Sequence, residues 1–427
     1  MRHHHNPFGI ALVACSVLLT SCGASRMAEA HIAAPRHTLT AFSPAGSVNP
    51  LIGTSGDGNV FPGASAPFGM VQWSPDTSAG GLSRPGGYAY GDRIIAGFSL
   101  THLSGAGCVA FGNLPFMPTA RPISRPPLPN GSPYSDRFDH AQEHASPAYY
   151  AVRLGSGIGV RLTATARTGF GSFTFPGSHA GSVIVNAAGG AGGHLNTDHA
   201  IDASIRISGS RQLNGWARGG HFCNLGNTYT LYFAAVFDRP FASALTWQGS
   251  VLRSGSRSAQ GRHAGAVLTF DTHANRQVQV KVGLSYVSVH DAQLNLNAED
   301  PGWRFETVRS KALERWNQLL NRIQVTGGTA SNTRVFYTAL YHAFLHPNIF
   351  SDVGGRYIGF DGRIHRTSRT QYANFSGWDI YRSEVQLLAW LLPHTTGDMM
   401  QSLVANAEQG GWLPKWPVAN AETGEMN

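Results

Sequence analysis

The pattern of hydrophobic residues divides the chain into two parts. From about residue 48 to about residue 290, short β-branched and aromatic runs alternate with Gly, Pro, Asn and Asp. Such runs predict strands, and the clearest lie at 149–154, 160–165, 181–186, 228–237, 266–270 and 277–286. Many short strands at this spacing are typical of a sandwich. We therefore expect an antiparallel β-sandwich domain over residues 47–292.

Near residue 300 the hydrophobic period changes from that of strands to that of helices. Apolar residues then recur at the spacing of one helix face, and they are Phe305, Val308, Ala312, Leu313, Trp316, Leu319, Leu320 and Ile323. The stretches 335–345, 379–392 and 398–409 show the same pattern. Helices that follow an all-β region indicate a second domain. We expect a linker helix and the start of an α-helical domain over residues 293–427.

The first residues indicate export. A short cationic lead over residues 1–5 precedes an apolar run over residues 10–19, and Leu-Thr-Ser-Cys follows at 19–22. The run is too short to span a bilayer, and this order is typical of a signal peptide that ends in a lipobox. We expect a lipoprotein signal peptide at 1–22 with the lipid on Cys22. An ordinary cleaved signal peptide with an incidental cysteine is the alternative.

Residues 23–46 connect this segment to the first domain. They are rich in Ala, Ser, Pro and Arg without any period, which predicts a flexible tether. Because Gly23 rather than Asp follows the cysteine, we expect an outer-membrane anchor if the host is Gram-negative. The expected location is therefore the periplasm or the cell surface, with the membrane reached through the lipid.

Composition agrees with a loop-rich exported β protein. Charged residues make up 13% of the 427 residues, while Gly (51) and Pro (23) are plentiful, which disfavours both disorder and a helical cytosolic protein. The formal charge of +8 comes from scattered Arg residues and forms no basic run. Phosphate tracking needs a clustered basic face, so we expect no nucleic-acid partner. The Ser- and Arg-rich stretch 253–265 is predicted to be a surface loop.

Two cysteines remain after the expected cleavage, Cys108 and Cys223. In an oxidising compartment two such cysteines can pair. Metal binding is disfavoured, because neither cysteine has a second Cys or a suitably spaced His beside it.

Two segments near the start of the sandwich are dense in small residues. Segment 49–64 is glycine-rich but lacks the following helix and the Lys of a phosphate-binding loop. Close approach of its backbone to another surface or to a ligand is the better interpretation. Segment 97–108 places His102 among hydroxyl-bearing and small residues. His102 is either a hydrogen-bonded core histidine, which is the more common case, or a catalytic one.

The helical part offers a stronger candidate. Trp378 and Asp379 stand side by side where a helix is predicted to begin, and Arg382 follows in the same segment. Sugar recognition needs an aromatic ring against the pyranose and an acceptor for its hydroxyls. Equally, Asp379 can be a helix N-cap and Trp378 a core residue.

A second candidate loop covers residues 410–427. It carries Trp412, Trp416 and two glutamates, Glu422 and Glu425. Trp and Pro reduce solvent access, which favours the protonated form of a carboxyl group, as a general acid requires. Most glycosidases use two carboxyl groups, so a single candidate is half of a mechanism.

Four segments in this order resemble glycoside hydrolase family 92, and they are 48–64, 97–108, 377–382 and 411–416. The likeness extends over residues 48–427. It implies an N-terminal β-sandwich packed on an (α/α)6 barrel, with the active site between them. It also implies exo-acting hydrolysis of terminal α-mannosides in mannose-containing glycans, with inversion and with a bound Ca²⁺ ion. Calcium is a hard cation that can bind two sugar hydroxyls and hold the ring in a distorted shape.

Carried over residue by residue, the resemblance assigns a site. Trp378 and Asp379 match the family's Trp-Asp pair that holds the terminal mannose. Glu422 matches the general acid, and Glu425 lies three residues further on. The same segments supply the other expected substrate-binding residues, which are Arg382, Trp412, Lys415 and Trp416. Both cysteines of the mature chain lie in family-like segments, so a disulfide between them is also expected.

The chain departs from the family in two places. Phe-Gly-Asn stands at 111–113, where the family commonly has Tyr-Gly-Asp, so this chain lacks that carboxylate. The chain ends at Asn427, before the part of the barrel expected to carry the general base and most calcium ligands. We therefore expect a truncated helical domain and inefficient hydrolysis by this polypeptide.

Three functions are compatible with these residues. The first is an α-mannosidase. The second is a glycan-binding lipoprotein, in which the sandwich and the partial barrel hold sugar without catalysis. The third is a mannosyl-phosphate hydrolase, an enzyme type that lacks the acid because phosphate leaves unaided, and the presence of Glu422 argues against it.

Overall fold

The computed structural model describes residues 42–77, 84–109, 111–128, 131–177, 181–189 and 200–425. The predicted signal peptide, Cys22 and nearly all of the tether lie outside these residues. Within the described residues, seventeen strands make up the first part of the chain. They are β1 (Ala64–Ser65), β2 (Gln72–Thr77), β3 (Ile94–Ser99), β4 (Phe116–Thr119), β5 (Asp136–Ser146), β6 (Tyr149–Leu154), β7 (Gly159–Ala164), β8 (Thr168–Thr174), β9 (Gly181–Asn186), β10 (Asp202–Ser208), β11 (Gln212–Gly220), β12 (Thr228–Phe237), β13 (Ser243–Gln248), β14 (Val251–Ser254), β15 (Ser258–Gln260), β16 (Ala264–Phe270) and β17 (Gln277–Ser285).

These strands form two antiparallel layers. The first layer has the order β2-β3-β4-β9-β16-β13-β14. The second has the order β5-β6-β7-β8-β17-β12-β11-β10-β15. Strand β5 also pairs with β3 and thereby joins the layers, and the short β1 pairs with β2. The antiparallel β domain expected from the sequence is therefore present.

The two layers enclose a core of aromatic and aliphatic side chains. Phe98 of the first layer lies 6.5 Å from Tyr150 of the second, measured between ring centroids. Phe237 of the second layer lies 5.2 Å from Phe270 of the first. All of these rings are fully buried. Burial stabilises the fold by roughly 25 cal/mol for each Å² of apolar surface removed from water, and it holds the layers face to face.

Trp73 lies within this core and depends on two glycines. Its ring is fully buried, and its indole N–H donates to the carbonyl oxygen of Phe98 at 3.0 Å. A Cβ atom at Gly169 or Gly171 of β8 would lie 2.5 Å or 2.7 Å from the Trp73 ring. Side-chain carbons do not approach that closely, so glycine at both positions makes room for the indole.

The stretch 253–265 is not the surface loop that its composition predicts. It contains the end of β14 and the whole of β15, which pair with β13 and β10 at the edges of the two layers. Most of its side chains are exposed, so Ser and Arg face water while the backbone completes a ladder. Composition alone does not separate an exposed edge strand from a loop.

The second part of the chain is mainly helical. The helices are α1 (Pro44–Ser47), which precedes the strands, and then α2 (Val289–Glu299), α3 (Phe305–Leu320), α4 (Ala330–Ala343), α5 (Gly377–Ile380), α6 (Glu384–Leu391) and α7 (Pro393–Gly410). Short ladders connect them, formed by β18 (Asn348–Ile349) with β21 (Tyr372–Ala373), β19 (Arg356–Ile358) with β20 (Ile364–Arg366), and β22 (Pro417–Val418) with β23 (Ala421–Glu422). Among the helices described, none is long and apolar enough to cross a membrane. The (α/α)6 barrel stays a prediction.

Three of the predicted helices differ clearly from their predicted bounds, and one of them is α7, which begins at Pro393 instead of residue 398. Helix α4 begins at Ala330, earlier than predicted, because Thr329 caps it: its Oγ1 accepts the backbone N–H of Asn332 at 3.2 Å. The predicted helix 379–392 is interrupted and becomes α5 and α6. The interruption includes Ser383, whose φ of −157° and ψ of −33° lie outside the helical region.

The helical part is attached to the sandwich at several points. Trp316 of α3 is fully buried, and its ring lies 4.5 Å from that of Tyr341 in α4. Its indole N–H donates to the carbonyl oxygen of Ser65 in β1 at 2.7 Å. Arg167, just before β8, pairs with Glu299 of α2 at 2.8 Å. A cleft between the two parts therefore has fixed walls.

Candidate active site

A cavity of about 440 Å³ lies between the sandwich and the helical part. Its sandwich wall consists of the loop 103–108, which connects β3 to β4, together with Phe222 and Cys223, which follow β11. The volume is within the range of about 300–1,000 Å³ that is usual for small-ligand sites. The polar side chains of its helical wall are His342, His346, Asn374, Ser376, Asp379, Glu384 and Glu425. The side chains that can titrate in this cavity therefore come from the helical part.

A disulfide and an aromatic pair hold the sandwich wall. Cys108 and Cys223 are joined, with their Cα atoms 5.2 Å apart, which is the pairing expected from the sequence. The bridge ties the loop that ends at Cys108 to the neighbouring Phe222. The Phe222 ring stacks on Trp416 of the helical part at 4.5 Å. Trp416 also lines the cavity, so this pair closes one end of the cleft.

The glycine-dense segments contact this wall on the side that faces away from the cavity. The backbone N–H of Gly105 donates to the carbonyl oxygen of Asn59, in the first glycine-rich segment, at 3.0 Å. His102 is buried, with Nε2 at 2.9 Å from Oδ1 of Asp76 and Nδ1 at 2.9 Å from the carbonyl oxygen of Gln72. His102 does not line the cavity. Of the two alternatives for His102, the structure therefore shows the hydrogen-bonded core histidine.

Asn113 stands where the resemblance leads one to expect a carboxylate. Its side chain is buried, and Oδ1 accepts the hydroxyl hydrogens of Thr101 at 3.0 Å and Tyr229 at 2.7 Å. The amide thus belongs to the hydrogen-bonded interior of the sandwich. It supplies no charge to the cavity.

Trp378 and Asp379 lie at the start of α5. Ser376 precedes the helix, and its hydroxyl donates to the Asp379 carboxylate. Asp379 is the third residue of the helix rather than its N-cap, and its side chain lines the cavity. Trp378 is 47% exposed and is therefore not a core residue. Both side chains are available to a ligand.

Arg382 and Trp378 form one unit beside the cavity. The guanidinium lies 4.5 Å from the centre of the Trp378 ring and 5.2 Å from that of Tyr381. Its Nε also donates to the carbonyl oxygen of Trp378 at 3.3 Å. A cation over an aromatic face is attracted to it and covers that face. A sugar that stacks on Trp378 must therefore use the opposite face or displace the guanidinium.

One glycine brings the two predicted motifs together. The backbone N–H of Gly377 donates to the carbonyl oxygen of Lys415 at 3.0 Å. A Cβ atom at Gly377 would lie 2.4 Å from that oxygen, so a larger residue would push α5 away. Trp416 lines the cavity, whereas Trp412 (65% exposed) and Lys415 lie outside the lining. The Trp-Asp segment and the loop with the two tryptophans are thus adjacent.

Glu422 and Glu425 have different surroundings. The Glu422 carboxylate accepts the backbone N–H groups of Lys415 at 2.7 Å, Trp416 at 3.2 Å and Gly424 at 3.0 Å. It therefore orders the loop that carries Trp416. Glu425 lines the cavity, and Glu422 does not. The assignment of Glu422 as the general acid stays a prediction, with Glu425 as the competing candidate.

Glu384 is a cavity carboxyl group that the sequence did not single out. It is the first residue of α6, and none of the described residues donates a hydrogen bond to it. Burial, together with the negative charge of Asp379, raises the pKa of Glu384 to about 7. A carboxyl group that holds its proton near neutral pH can donate a hydrogen bond or a proton. The only sequence signal is a second carboxylate five residues after Asp379.

His342 adds an imidazole to the same wall. It lies in the last turn of α4, and burial lowers its pKa to about 4. Within the described part of the chain, its buried Nε2 atom has no hydrogen-bond partner. A buried polar atom without a partner is destabilising. A ligand hydroxyl in the cavity would satisfy it.

The expected calcium ion has no recognisable cluster of acidic or imidazole side chains among the described residues. Calcium takes about six to eight oxygen ligands, several of them from carboxylates. The cavity has the carboxyl groups of Asp379, Glu384 and Glu425. Nevertheless, among residues 42–425 as far as they are described, no three His, Cys, Asp or Glu side chains form a group that could hold a metal ion.

Known proteins share this architecture. The glycosyl hydrolase family 92 N-terminal domain matches residues 47–285, and the family 92 catalytic domain matches residues 291–427. The family GH92 α-mannosidase BT3965 of Bacteroides thetaiotaomicron is 31% identical, with a TM-score of 0.82 over 90% of this chain and 53% of that chain. The family GH92 inverting mannosidase BT2199 of the same species is 27% identical, with a TM-score of 0.80 over 90% of this chain and 51% of that chain.

A curated relative is also described as a glycosidase. It is an uncharacterized secreted glycosidase of Arthroderma benhamiae, 28% identical over 336 residues, which are 71% of this chain and 42% of that protein. The chain spans about half the length of the relatives it matches. The two family domains follow one another over residues 47–285 and 291–427, in the order strands and then helices. The chain belongs to glycosyl hydrolase family 92.

Proposed function

We propose that the protein is an exo-acting α-mannosidase that removes terminal α-mannosyl residues from glycans. Family membership supports a glycosidase, and the similar solved structures are those of mannosidases. The observation that carries the proposal is the meeting of Asp379, Trp416 and Glu425 in one cavity. Together they supply an acceptor for sugar hydroxyls, an apolar ring and a carboxyl group that can protonate the glycosidic oxygen.

Each side chain then has a part in holding the sugar. Asp379 accepts hydrogen bonds from hydroxyls of the terminal mannose, since bonds to a carboxylate are stronger than neutral ones. Trp416 offers an apolar surface against the ring. Trp378 and Arg382 lie beside the cavity and would contact the sugar at its outer edge. Trp412 and Lys415, which lie outside the lining, would contact the rest of the glycan, and they are the residues we expect to affect linkage preference.

Hydrolysis needs an acid and a base. The acid gives its proton to the glycosidic oxygen, so the aglycone leaves as an alcohol. Water attacks the anomeric carbon from the opposite face, loses a proton to the base and inverts the configuration. We propose Glu422 as the acid, which must first release some of the backbone N–H groups that now bind it. Glu425 would need no such release. No described residue is assigned as the base.

A glycan-binding role without catalysis is the second candidate. The observation in its favour is the position of the Glu422 carboxylate, held by N–H groups of Lys415, Trp416 and Gly424 rather than facing the cavity. A binder of this kind would hold mannosides and release no free mannose. Product formation therefore separates the two candidates.

Two variants test the proposed acid in the protein expressed from its complete gene. Glu422→Gln should slow hydrolysis of mannosides with poor leaving groups by roughly 10²–10⁴-fold, the usual range for general acid catalysis. Mannosides with acidic leaving groups should lose much less, because they depart without a proton. Glu425→Gln is the matched control, and it becomes the acid if it alone shows this dependence. No mannose release by the unmodified protein, or equal losses on both substrates in both variants, would contradict the proposal.

We also propose calcium dependence, on the ground of family membership alone. A chelator selective for calcium should abolish mannose release from the complete protein, and added Ca²⁺ should restore it. Magnesium at the same concentration is the control, since it demands a smaller and stricter coordination shell. Full activity in the chelator would contradict this part of the proposal.

We propose that the protein is exported and anchored by lipid at Cys22, in the outer membrane if the host is Gram-negative. The order of cationic lead, apolar run and Leu-Thr-Ser-Cys at 19–22 supports it. Mass spectrometry of the native protein should show an N-terminal peptide that begins at Cys22 and carries the mass of attached acyl chains. An unmodified N-terminus at another residue would contradict the anchor.

A further inference from the structure

A chain of hydrogen bonds crosses the cavity from the sandwich wall to the β22–β23 hairpin. It begins at Ser104, whose backbone N–H lies 2.9 Å from Nε2 of His346. Nδ1 of His346 lies 2.7 Å from Oδ1 of Asn348. The same oxygen accepts Nδ2–H of Asn374 at 2.7 Å. Finally, Oδ1 of Asn374 accepts the backbone N–H of Ala419 at 2.9 Å.

The direction of these bonds determines the tautomer of His346. A backbone N–H can only donate, so Nε2 must hold a lone pair and the hydrogen must sit on Nδ1. Nδ1–H then donates to Oδ1 of Asn348. Burial lowers the pKa of His346 to about 4, although the bond to Asn348 opposes this. The imidazole is therefore a neutral link with an acceptor on one side and a donor on the other.

Asn348 is the residue that connects His346 to Asn374 in this series of hydrogen bonds. Its Oδ1 accepts two hydrogens, from His346 and Asn374. Its Nδ2 donates to the carbonyl oxygens of Gly69 at 2.9 Å and Leu345 at 3.0 Å. The amide is buried, and every hydrogen-bonding position on it is used. It cannot turn without losing bonds, so Asn348 fixes His346 and Asn374 relative to one another.

The series of hydrogen bonds ends at a strained turn. Ala419 lies between the two strands of the hairpin and has a φ of 52°, and Asn374 has a φ of 62°. Residues other than glycine adopt this left-handed backbone infrequently. The bond from Ala419 N–H to Asn374 helps to hold the turn. Glu422 lies on the strand that leaves it, where it pairs with Pro417.

We infer that His346 is a positioning residue, which sets the spacing between the sandwich wall at Ser104 and the hairpin that carries Glu422, acting through Asn348 and Asn374. Because Ser104, His346 and Asn374 line the cavity, this spacing is also a dimension of the site. The effect on catalysis rests on the proposed function, whereas the mechanical coupling of the two walls does not.

A double-mutant cycle tests the inference on activity. His346→Asn keeps a donor for Asn348 but loses the acceptor for Ser104, and Asn374→Ala removes the link to Ala419. Each is expected to lower kcat/KM roughly fivefold to tenfold, the effect of about one hydrogen bond. If the links act in series, the double variant loses little more than either single one. Independent roles would multiply the two effects.

Hydrogen exchange in the substrate-free protein tests the coupling without any activity. His346→Asn is expected to speed exchange in the loop 103–108 and also in the hairpin 417–422, although His346 itself bonds to Ser104 and Asn348 and not to the hairpin. Asn295→Ala is the matched control, because Asn295 is a buried amide with bonds to Leu284, Asp352 and Val353 that lies outside the cavity. It should leave exchange in both segments unchanged.

The outcomes separate the inference from the proposed function. Faster exchange confined to 103–108, with activity effects that multiply, would overturn the inference even in an active mannosidase. Coupled exchange in a protein that releases no mannose would support the inference and overturn only the proposed function. The ¹⁵N spectrum of the unmodified protein gives a check that needs no variant. His346 should carry its proton on Nδ1, and a proton on Nε2 would exclude the bond from Ser104 and overturn the inference.

Discussion

The two walls of the cavity are made of different groups. The sandwich wall presents backbone, small side chains, the Cys108–Cys223 bridge and the Phe222 ring, whereas the helical wall presents imidazoles and carboxyl groups, among them Asp379 and Glu384. One wall is a surface of fixed shape and the other carries the groups that can bind hydroxyls and move protons. Changes to the helical wall should therefore act mainly on kcat, and changes to the sandwich wall mainly on KM.

The two walls also differ in how they are held. The sandwich wall rests on a large buried core and on a covalent bridge. The helical wall depends on specific contacts between short segments, such as the one between Gly377 and Lys415. A core spread over many residues tolerates single changes better than one close backbone contact does.

Gly377→Ala should have the largest effect. The added Cβ would lie 2.4 Å from the carbonyl oxygen of Lys415, so α5 and Asp379 must move. A displacement near 1 Å in a catalytic site costs about 10²-fold, and we expect a loss of that size in kcat/KM. Gly397→Ala in α7 is the control, because nothing lies within 4 Å of its added Cβ. Equal kcat/KM values for the two variants would show that the motifs need not be adjacent.

Asp379→Asn should come next. It keeps the shape of the side chain and removes its charge, and hydrogen bonds to charged groups contribute about 1.5–3 kcal/mol. We expect kcat/KM to fall roughly 10-fold to 10²-fold. The variant should also lower the pKa of Glu384, because the charge of Asp379 is one cause of its raised value. Asp361→Asn is the control, since that carboxylate pairs with His365 outside the cavity. If both variants behave alike, Asp379 does not hold the sugar.

Glu384→Gln should change how the stability of the protein depends on pH. The folded protein raises the pKa of Glu384 from 4.5 to about 7, so it binds that proton more tightly than the unfolded chain does. The resulting stability is present below about pH 4.5 and is lost as pH rises towards 7. Glu384→Gln should therefore melt like the unmodified protein at low pH. Above pH 7 it should be more stable by about 1–3 kcal/mol, after allowance for partial solvent screening.

Asp352 offers a matched control for this titration. Burial also raises the pKa of Asp352 to about 7, but its carboxylate accepts bonds from Ser285 and Asn295 away from the cavity. Asp352→Asn should change the pH dependence of melting and leave the pH profile of kcat/KM unchanged near pH 7. Glu384→Gln should change both. A change of the kcat/KM profile in Asp352→Asn, or none in Glu384→Gln, would contradict a role for Glu384 at the site.

Removal of the disulfide should have the smallest effect on the chemistry. Changing Cys108 and Cys223 together to Ser opens a loop of 115 residues, which costs up to about 4–5 kcal/mol of stability in the chain-entropy description. Well below the melting temperature, we expect KM to rise a few-fold and kcat to stay nearly constant, because this wall gives shape only. A fall in kcat in place of a rise in KM would remove the distinction between the walls.

Strands made of continuous apolar runs were easier to predict than strands whose side chains are mostly polar. The predicted ranges 149–154, 181–186 and 228–237 agree with β6, β9 and β12, because each is a run of apolar residues between turn residues. Strand β5 and the stretch 253–265 were missed. Their side chains are mostly polar and face water, so only the pairing of their backbones identifies them as strands.

The sequence predicted only those residues of the site that belong to recognisable motifs. Trp378 and Asp379 were selected by their chemistry, and the structure places Asp379 at the cavity. Glu384 and His342 were not selected, because their shifted pKa values arise from burial and from neighbours that sequence order does not reveal. The hairpin geometry that binds the Glu422 carboxylate to backbone N–H groups was likewise inaccessible to sequence patterns.

A crystal structure of the complete protein with mannoimidazole would test the central claim most directly. That compound is bound in a structure of the related α-mannosidase BT3965. We expect its sugar ring in the cavity between the loop 103–108 and α5, with a ring hydroxyl within hydrogen-bonding distance of the Asp379 carboxylate. The carboxyl group nearest the imidazole, Glu422 or Glu425, would then be the acid. A sugar ring bound elsewhere, or an empty cavity at saturating mannoimidazole, would contradict the account.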